Sequence, residues 1–465
     1  MKNALPNISK TLSLLLLLYI SAFTNPVGVR AQATMDAKTG NPVSFVKHPE
    51  WAKNANIYEV NIRQYTPEGT FNAFARDLPR LKKMGVDIIW LMPIQTIGEK
   101  NRKGPLGSPY SVKNYKKINP HYGTMDDLKN LVNKVHQQGM KIIIDWVANH
   151  TAWDNIWTKT HPEWYTKDAN GHFKPPVADW SDVIELDYSN QHMRDAMLDA
   201  MKYWVQKADI DGFRCDVAGS VPTDFWNRVR RELDRIKPVF MLAEAEKPEL
   251  HNYAFDMTYA WEFHGLTNQI AHGEIGINAL DDYRAKEDSV LAPNAYRMYF
   301  TSNHDENTWN GSAVERYGDG VKTFAILAAT FDGMPLIYDG QESHMSKRLE
   351  FFKKDPIQWN DYSMQGFYHT LLELKHKNPA LWNGAAGGSF SKVVTSDHEK
   401  NVYAYTRKKG DHEVLVVLNF SKNPEEVKLL NVNARDFENV FTGETEKVGK
   451  ASIKLAPWGY KVWAK

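Results

Sequence analysis

Residues 126–150 read DDLKNLVNKVHQQGMKIIIDWVANH and combine a helical pattern, a glycine break and one apolar strand. The apolar positions that share one helix face are Leu128, Leu131, Val132 and Val135. Thr124 and Asp127 form a capping-box pattern at the start, and Gly139 ends the helix. The strand that follows is apolar at successive positions, which is typical of a parallel strand buried on both faces.

The same order of helix, break and apolar strand occurs in residues 71–94 and 193–219. Five further apolar runs have the length of strands. The eight predicted strands begin at Ile57, Val86, Met140, Phe213, Val239, Phe255, Tyr296 and Met334. Eight such strands separated by helix-length segments predict an α/β fold, a closed (β/α)8 TIM barrel, rather than an open doubly wound sheet.

The pattern divides the chain into a barrel and a smaller C-terminal unit. We predict the barrel over residues 50–384. A stretch of little periodicity at about residues 150–190 follows the third strand and predicts a short inserted domain on the active face of the barrel. Residues 385–465 carry short alternating runs such as VYAYTR and EVLVVLNF, which predict a C-terminal antiparallel β-sandwich domain.

Composition excludes several classes of function. Of 465 residues, 42% are hydrophobic, and the 57 basic and 56 acidic residues form no charged stripe, so nucleic acid is not an expected partner. A single cysteine, Cys215, rules out an intrachain disulfide and a thiolate zinc cluster. The 15 Trp, 21 Tyr and 20 Phe suit ligands with flat apolar faces. No P-loop, HExxH or GxSxG motif occurs, which argues against phosphoryl transfer, zinc proteolysis and serine hydrolysis.

The N-terminus has the pattern of an export signal. Two lysines precede the apolar run Leu12–Phe23, and the small residues of AQA follow at 31–33. This predicts a secretory signal peptide over residues 1–31, with cleavage there or after residue 33, rather than a buried helix. The run is shorter than the roughly 18 residues that cross a bilayer. We expect an exported protein, periplasmic or extracellular, with no membrane anchor after cleavage.

Three carboxylates end predicted strands. Asp216 ends the fourth in GFRCDVAG, Glu244 the fifth in VFMLAEA and Asp305 the seventh in FTSNHDEN. Because barrel enzymes place catalysis at these strand ends, the three side chains should converge. Alternation points Arg214 the same way as Asp216, where its charge would favour the ionised carboxylate. An acid, a nucleophile and a third carboxylate in one cleft are what retaining glycoside hydrolysis needs.

Four short regions resemble those that mark the alpha-amylase family of retaining glycoside hydrolases. They are DWVANH (145–150), GFRCDVAGS (212–220), MLAEAEKPE (241–249) and FTSNHDENT (300–308). They occur in the family's order on the third, fourth, fifth and seventh strands, and the resemblance covers about residues 50–465. It implies an α-1,4-glucan substrate such as starch, maltodextrin or cyclodextrin.

The resemblance also implies a role for each matching residue. Asp216 would be the nucleophile, Glu244 the general acid/base, and Asp305 the residue that stabilises the distorted sugar at the transition state. Tyr110, in SPYSVKNY, would stack on that sugar, and two histidines would hydrogen-bond its hydroxyls. The implied substrate-binding residues are Tyr110, His150, Arg214 and His304. Glu246 competes with Glu244 because alternation aims both alike, but the motif match favours Glu244.

Two departures from the family pattern affect what is expected. Many alpha-amylases carry Lys-His three and four residues after the nucleophile, where this chain has Gly219 and Ser220, so contacts to sugars beyond the cleavage point should differ. The family's structural calcium ion would use Asn149, acids of the inserted domain and a carbonyl near that histidine. With no histidine and a short insertion, calcium at Asn149 stays an open alternative.

Three functions remain after the sequence is considered. The first is hydrolysis of α-glucans, with no nucleotide or redox cofactor. The second is transglycosylation by the same residues, with a sugar hydroxyl in place of water. The third is carbohydrate binding without catalysis, which the presence of all three carboxylates and Arg214 argues against. The preferred glucan, internal or terminal cleavage, and the oligomeric state stay open.

Overall fold

The computed structural model describes residue 35 and residues 42–397, 399–449 and 451–465. The predicted signal peptide, residues 1–31, lies outside the described residues. None of the helices in the described ranges has the length and apolarity that crossing a bilayer requires.

Within residues 42–397, eight parallel strands pair in sequence order and close into a barrel, the last against the first. They are β1 (Ile57–Val60), β2 (Ile88–Leu91), β3 (Lys141–Val147), β4 (Gly212–Asp216), β5 (Phe240–Ala243), β6 (Met257–Tyr259), β7 (Tyr296–Phe300) and β8 (Met334–Tyr338). Every strand predicted for the barrel is present, so the predicted TIM barrel is confirmed.

Helices pack against the outward-facing residues of the strands in one apolar cluster. The longer helices are α1 (Leu78–Met84), α2 (Met125–Gln137), α3 (Gln191–Ala208), α4 (Thr223–Asp234), α5 (Trp261–His272), α6 (Ala279–Val290), α7 (Val321–Thr330) and α8 (Gln365–Lys377). Shorter α-helices lie at Ile62–Tyr65, Phe71–Phe74, Trp157–Thr160 and Ala313–Tyr317. In α2, Thr124 and Asp127 form the predicted capping box, because each side chain accepts the backbone N–H of the other.

Single helical turns occupy several connections. The 3-10 turns are Glu50–Ala52, Ala75–Asp77, Pro162–Trp164, Ala218–Ser220, Pro248–His251, Gly318–Gly320, Gln341–Ser343, Pro379–Leu381 and Gly384–Ala386, and a π-helical turn spans Glu306–Asn310. The turn Pro248–His251 joins β5 to β6, where we expected a helix-length segment. The linking residues 244–256 are little longer than the shortest parallel crossover and include Pro248, which does not fit inside a helix. Two helices, α5 and α6, follow β6 instead.

Inward-facing residues change from apolar to polar toward the C-terminal ends of the strands. The lower layers form a closed apolar core that includes Ile57, Ile88, Ile143, Phe240 and Met257. Strand register then places Glu59 beside Trp90 and Asp145 beside Arg214. Because alternate residues of a strand face the same way, these four side chains lie inside the barrel, above the apolar core.

Two hairpins extend from the barrel. One pairs Gln95–Ile97 with Val112–Ile118, and the other pairs His150–Ala152 with Val183–Glu185. The second lies in the connection after β3, where the insertion was predicted. The long connection after β3 therefore contains a short hairpin at the place where the insertion was predicted.

Beyond residue 385, the described strands form two antiparallel sheets. They are β9 (Ser389–Val393), β10 (Val402–Lys409), β11 (His412–Asn419), β12 (Glu425–Val427), β13 (Arg435–Asn439), β14 (Thr445–Val448), β15 (Ile453–Leu455) and β16 (Tyr460–Ala464). The first sheet has the order β9-β10-β11-β16-β13-β14, and β12 pairs with β15. Both sheets contribute to one apolar core. The other face of the first sheet packs on the barrel, as where Tyr405 meets Phe331, which confirms the C-terminal antiparallel domain.

Candidate active site

The residues predicted to line the site meet at the carboxyl ends of the barrel strands. The structure joins the following side chains by direct contacts: Tyr110, His150, Arg214, Asp216, Glu244, His304 and Asp305. They come from β4 and from the connections after β2, β3, β5 and β7. The predicted convergence of strand-end side chains is therefore present in the fold.

The guanidinium of Arg214 is the centre of this cluster and has no exposed surface. Its Nη1 donates to Asp145 Oδ1 at 2.9 Å and to Asp216 Oδ1 at 3.0 Å. Its Nη2 lies 2.9 Å from Glu244 Oε2. Since one cation serves three carboxylates, the positions of Asp216 and Glu244 are linked through it.

Glu244 is held by an unusual piece of backbone next to Asp216. The backbone N–H of Val217 donates to Glu244 Oε2 at 2.8 Å. Val217 has φ 36° and ψ 44°, a left-handed conformation that costs a β-branched residue about 1–3 kcal/mol. Strain of this size next to the cluster is typical of a functional site.

Glu246, the alternative to Glu244, lies outside the cluster. Its Oε1 accepts the backbone N–H of Glu262 at 3.0 Å, at the start of α5. Burial raises the pKa of Glu246 to about 7. Of the two glutamates after β5, Glu244 is the one that contacts Arg214.

His304 connects Asp305 to the rest of the cluster. Its Nε2 lies 2.8 Å from the Tyr110 hydroxyl and 3.1 Å from Asp305 Oδ2. The Tyr110 hydroxyl in turn donates to Asp145 Oδ2 at 2.9 Å. Burial alone would raise the pKa of Asp305, but its ion pair and hydrogen bond with His304 bring that pKa below the usual value. Asp305 is therefore held as a carboxylate.

His150 also approaches Asp216, with Nε2 4.0 Å from Asp216 Oδ2. Burial lowers the pKa of His150 to about 3. The imidazole is therefore neutral at ordinary pH and can both donate and accept one hydrogen bond. Trp180 packs edge-on against this ring at 5.4 Å.

The electrostatics of Asp216 differ from the sequence prediction. Burial raises the pKa of Asp216 well above its usual value, the charge of Glu244 raises it further, and Arg214 only partly opposes both. The same guanidinium also contacts Asp145 and Glu244. Burial likewise raises the pKa of Glu244, against the effect of Arg214.

Two buried carboxylates of the site were not among the predicted site residues. Asp145 accepts hydrogen bonds from Arg214, Tyr110 and Trp90, and Glu59 accepts one from His304. The signal that could have found them is an acidic residue inside an otherwise apolar strand, as in IYEV and KIIIDWV. Burying such a charge costs free energy unless it is paired, so these positions indicate a polar network.

The calcium ion left open for Asn149 has no cluster of acidic ligands among the described residues. The side-chain amide nitrogen of Asn149 lies 3.3 Å from His150 Nδ1. Its backbone carbonyl oxygen accepts the backbone N–H of Leu186. In the described part of the chain, no group of three or more His, Cys, Asp or Glu side chains is arranged to hold a metal. Calcium prefers six to eight oxygen ligands that include carboxylates.

Known proteins share this architecture. The family model described as "Alpha amylase, catalytic domain" matches residues 36–181 and 164–418, and "Maltogenic Amylase, C-terminal domain" matches residues 392–462. Alpha-amylase MalA of Haloarcula japonica is 27% identical over 88% of this chain, which spans 60% of that longer protein.

Two solved structures cover nearly the whole barrel and C-terminal domain. The noncanonic maltogenic alpha-amylase AmyB from Thermotoga neapolitana is 31% identical, with a TM-score of 0.81 over 89% of this chain and 99% of that one. An alpha-amylase from Lactobacillus plantarum is 29% identical, with the same TM-score and the same coverage of both chains. The resemblance seen in the four sequence regions is thereby confirmed. The chain belongs to the alpha-amylase family of glycoside hydrolases.

Proposed function

We propose that this protein is an exported, retaining hydrolase of α-1,4-glucosidic bonds in starch, maltodextrins or cyclodextrins. The observation that carries the proposal is the guanidinium of Arg214, which contacts Asp216 and Glu244 at once. Two carboxylates that share one guanidinium favour the separation of about 5–5.5 Å found in retaining enzymes over the about 6.5–9.5 Å of inverting ones. Asp305 supplies a third carboxylate to the same cleft through His304.

In the first step, an oxygen of Asp216 attacks the anomeric carbon, and the bond from that carbon to the leaving sugar oxygen breaks. Glu244 transfers its proton to this oxygen, so the leaving sugar departs as a neutral alcohol. The products are a glycosyl ester on Asp216 and an ionised Glu244.

In the second step, Glu244 removes a proton from water, and the water oxygen attacks the same carbon. The ester bond to Asp216 breaks, which regenerates the carboxylate and the protonated Glu244. Because each step inverts the carbon, the product keeps the α configuration. If a sugar hydroxyl replaces water, the same step is transglycosylation.

The raised pKa values of Asp216 and Glu244 support a pair that shares one proton. In the productive form, Glu244 carries this proton, and Asp216 is the carboxylate bonded to Nη1 of Arg214. Asp305 stays ionised beside His304, where its negative charge stabilises the positive charge that develops on the sugar ring.

Three neighbouring groups are suited to bind the sugar at the point of cleavage. The ring of Tyr110 lies parallel to that of His304, with centroids 5.3 Å apart, and offers an apolar platform for a sugar face. His150 and His304 present ring nitrogens on two sides of the carboxylates. We assign them hydrogen bonds to sugar hydroxyls; at His304 Nε2 the sugar hydroxyl takes the place of the Tyr110 oxygen.

The substrate class and the location rest on separate observations. The relatives named alpha-amylase and maltogenic alpha-amylase support an α-glucan substrate. Export rests on the apolar run Leu12–Phe23 and the AQA sequence at 31–33. N-terminal sequencing of the protein recovered from the periplasm or medium should begin just after residue 31 or 33. Recovery only from the cytoplasm, with Met1 intact, would contradict export.

A product profile tests the activity itself. The purified protein is incubated with starch, cyclodextrin, pullulan, maltotriose and trehalose, with and without glucose as an acceptor. We expect shorter maltooligosaccharides from the α-1,4 substrates and intact trehalose. Asp216→Asn, prepared in parallel, controls for contaminating amylase. Failure of the natural sequence to cleave any glucan, or equal cleavage by the variant, would refute the proposal, and coupling to glucose as the main product would favour transglycosylation.

A further inference from the structure

Glu59 is a buried carboxylate behind the site that the mechanism does not use. It faces inward from β1 and has no exposed surface. Its Oε1 lies 2.5 Å from His304 Nδ1. Its Oε2 has no hydrogen-bond partner among the described residues. A half-paired carboxylate in a barrel interior is costly to fold, so its presence needs a reason other than stability.

Hydrogen-bond directions define the protonation of His304. Asp145 receives donors from Arg214, Tyr110 and Trp90, so it is a carboxylate and the Tyr110 hydroxyl proton points to it. The Tyr110 oxygen and Asp305 Oδ2 can then only accept from His304 Nε2. Burial raises the pKa of Glu59 and the neighbouring His304 lowers it in return; with Glu59 as the carboxylate, Nδ1 carries the hydrogen of their bond. Both ring nitrogens therefore donate, which only the imidazolium form can do.

We propose that Glu59 is a positioning residue that keeps His304 as an imidazolium and, through it, keeps Asp305 ionised and oriented toward the sugar. This inference deepens the proposed function and rests on it. The chain of contacts runs from Glu59 through His304 to Asp305, with the reacting sugar at its far end. Glu59 itself lies behind the histidine and does not reach the substrate.

The charges around His304 support this arrangement. Burial lowers the pKa of His304, but Asp305 and Glu59 outweigh burial and raise it well above the usual value. The other charged groups that face Glu59 and its partner are Asp145 on β3, Arg214 on β4 and Asp339 after β8. Without Glu59, the contact with Asp305 and the weaker effects of Asp145, Glu244 and Asp339 would have to hold the imidazolium against burial.

Glu59→Gln tests the proposal because the amide oxygen can still accept the hydrogen of Nδ1 while the charge is removed. In this variant we expect His304 to lose its proton before Glu244 does, so the alkaline limb of kcat/KM, set by Glu244 in the natural protein, moves down and kcat falls more than KM changes. Nitrogen NMR can observe the ring of His304, whose signals are assigned by their loss in His304→Asn. At pH 7 we expect an imidazolium in the protein of natural sequence and a neutral ring in Glu59→Gln.

Glu59→Asp and Asp256→Asn complete the test. Glu59→Asp keeps the charge and should restore the alkaline limb even if kcat is lower. Asp256 is also a buried carboxylate paired with a histidine, His48 at 2.8 Å, but it lies at the opposite end of the barrel, before β6. Asp256→Asn should therefore leave the pH profile in place.

Two results would overturn the proposal: an unchanged pH profile in Glu59→Gln, or an imidazolium at His304 that persists in that variant at pH 7. The NMR readout needs no turnover. If the natural sequence cleaves no glucan, the proposed function fails, whereas the dependence of His304 on Glu59 is still decided. Should Glu59→Gln not fold, Glu59→Asp must retain the imidazolium, and a neutral His304 there would equally contradict the proposal.

Discussion

Arg214 Nη1 donates to Asp145 Oδ1 over 2.9 Å, and neither side chain has any exposed surface. This ion pair lies directly below Asp216 and is the link between the apolar barrel interior and the reacting groups. A buried cation with several carboxylate partners is needed both for folding and for keeping those carboxylates close together.

Arg214→Met should therefore damage stability and activity together. Three carboxylates would lose their common cation, which should cost about 3–5 kcal/mol of the free energy of unfolding and lower kcat/KM by several orders of magnitude. Chemical unfolding and initial rates measure the two effects. Arg230→Met is the matched control, since Arg230 is buried and paired with Asp256 at the other end of the barrel. Arg230→Met should lower the free energy of unfolding by a similar amount, while the kcat of the folded fraction stays normal. A large loss of kcat in Arg230→Met would argue against a local role for Arg214.

The two glutamates after β5 give a matched pair of substitutions. Glu244→Gln removes the transferable proton and should lower kcat by a factor of about 10² to 10⁴. Glu246→Gln keeps an oxygen that can accept the N–H of Glu262, so kcat should stay within a few-fold of normal. Steady-state kinetics on a maltooligosaccharide separate the two. A larger loss in Glu246→Gln would reverse the assignment.

The pH dependence of activity follows from the buried carboxylates. Because the pKa of Asp216 is raised in the folded protein, the acid limb of kcat/KM should lie above the usual carboxyl range. The raised pKa of Asp216 also affects stability. Its contribution to the free energy of unfolding is fully present below the pKa that Asp216 has in the unfolded chain, and it is lost as the pH rises through the pKa in the folded protein. Asp216→Asn removes this dependence and should unfold at the same or a higher temperature while losing turnover. A thermal midpoint that drops sharply in this variant would contradict the buried, raised pKa.

His150 offers a complementary test. Since burial lowers the pKa of His150 to about 3, the ring is neutral wherever the protein is active. His150→Gln should weaken substrate binding but leave the positions of both limbs of the pH profile unchanged. A shift of either limb would show that His150 titrates in the working range.

Metal removal should have little effect. Because the described residues near Asn149 include no cluster of acidic ligands, we expect a chelator to leave the thermal midpoint and the rate unchanged, and added calcium not to raise them. A midpoint that falls with chelator and recovers with calcium would contradict this expectation.

The parts of the fold that sequence predicts well are those set by local pattern. The capping box of α2 and the apolar runs of the barrel strands depend on neighbouring residues, and both are present as predicted. The four strands β9, β12, β13 and β14 were not predicted as such. Their exposed or alternating burial gives a weak apolar signal.

In the site, too, local sequence motifs predict some features and not others. Asp216, Glu244 and Asp305 could be identified because each ends a strand in a recognisable motif. The contact between Glu59 and His304 could not be identified, because the two residues are 245 positions apart along the chain and meet only when β1 and β8 close the barrel. The left-handed backbone of Val217 is likewise invisible in the sequence, since nothing about valine predicts it.

The most direct test of the account is the configuration of the first product. Proton NMR can follow the anomeric signals during the first minutes of maltooligosaccharide hydrolysis, before mutarotation mixes them. A covalent intermediate on Asp216 requires that the α-anomer appears first. Initial release of the β-anomer would contradict the mechanism, because it would mean that water attacks the sugar directly and that Asp216 is not the nucleophile.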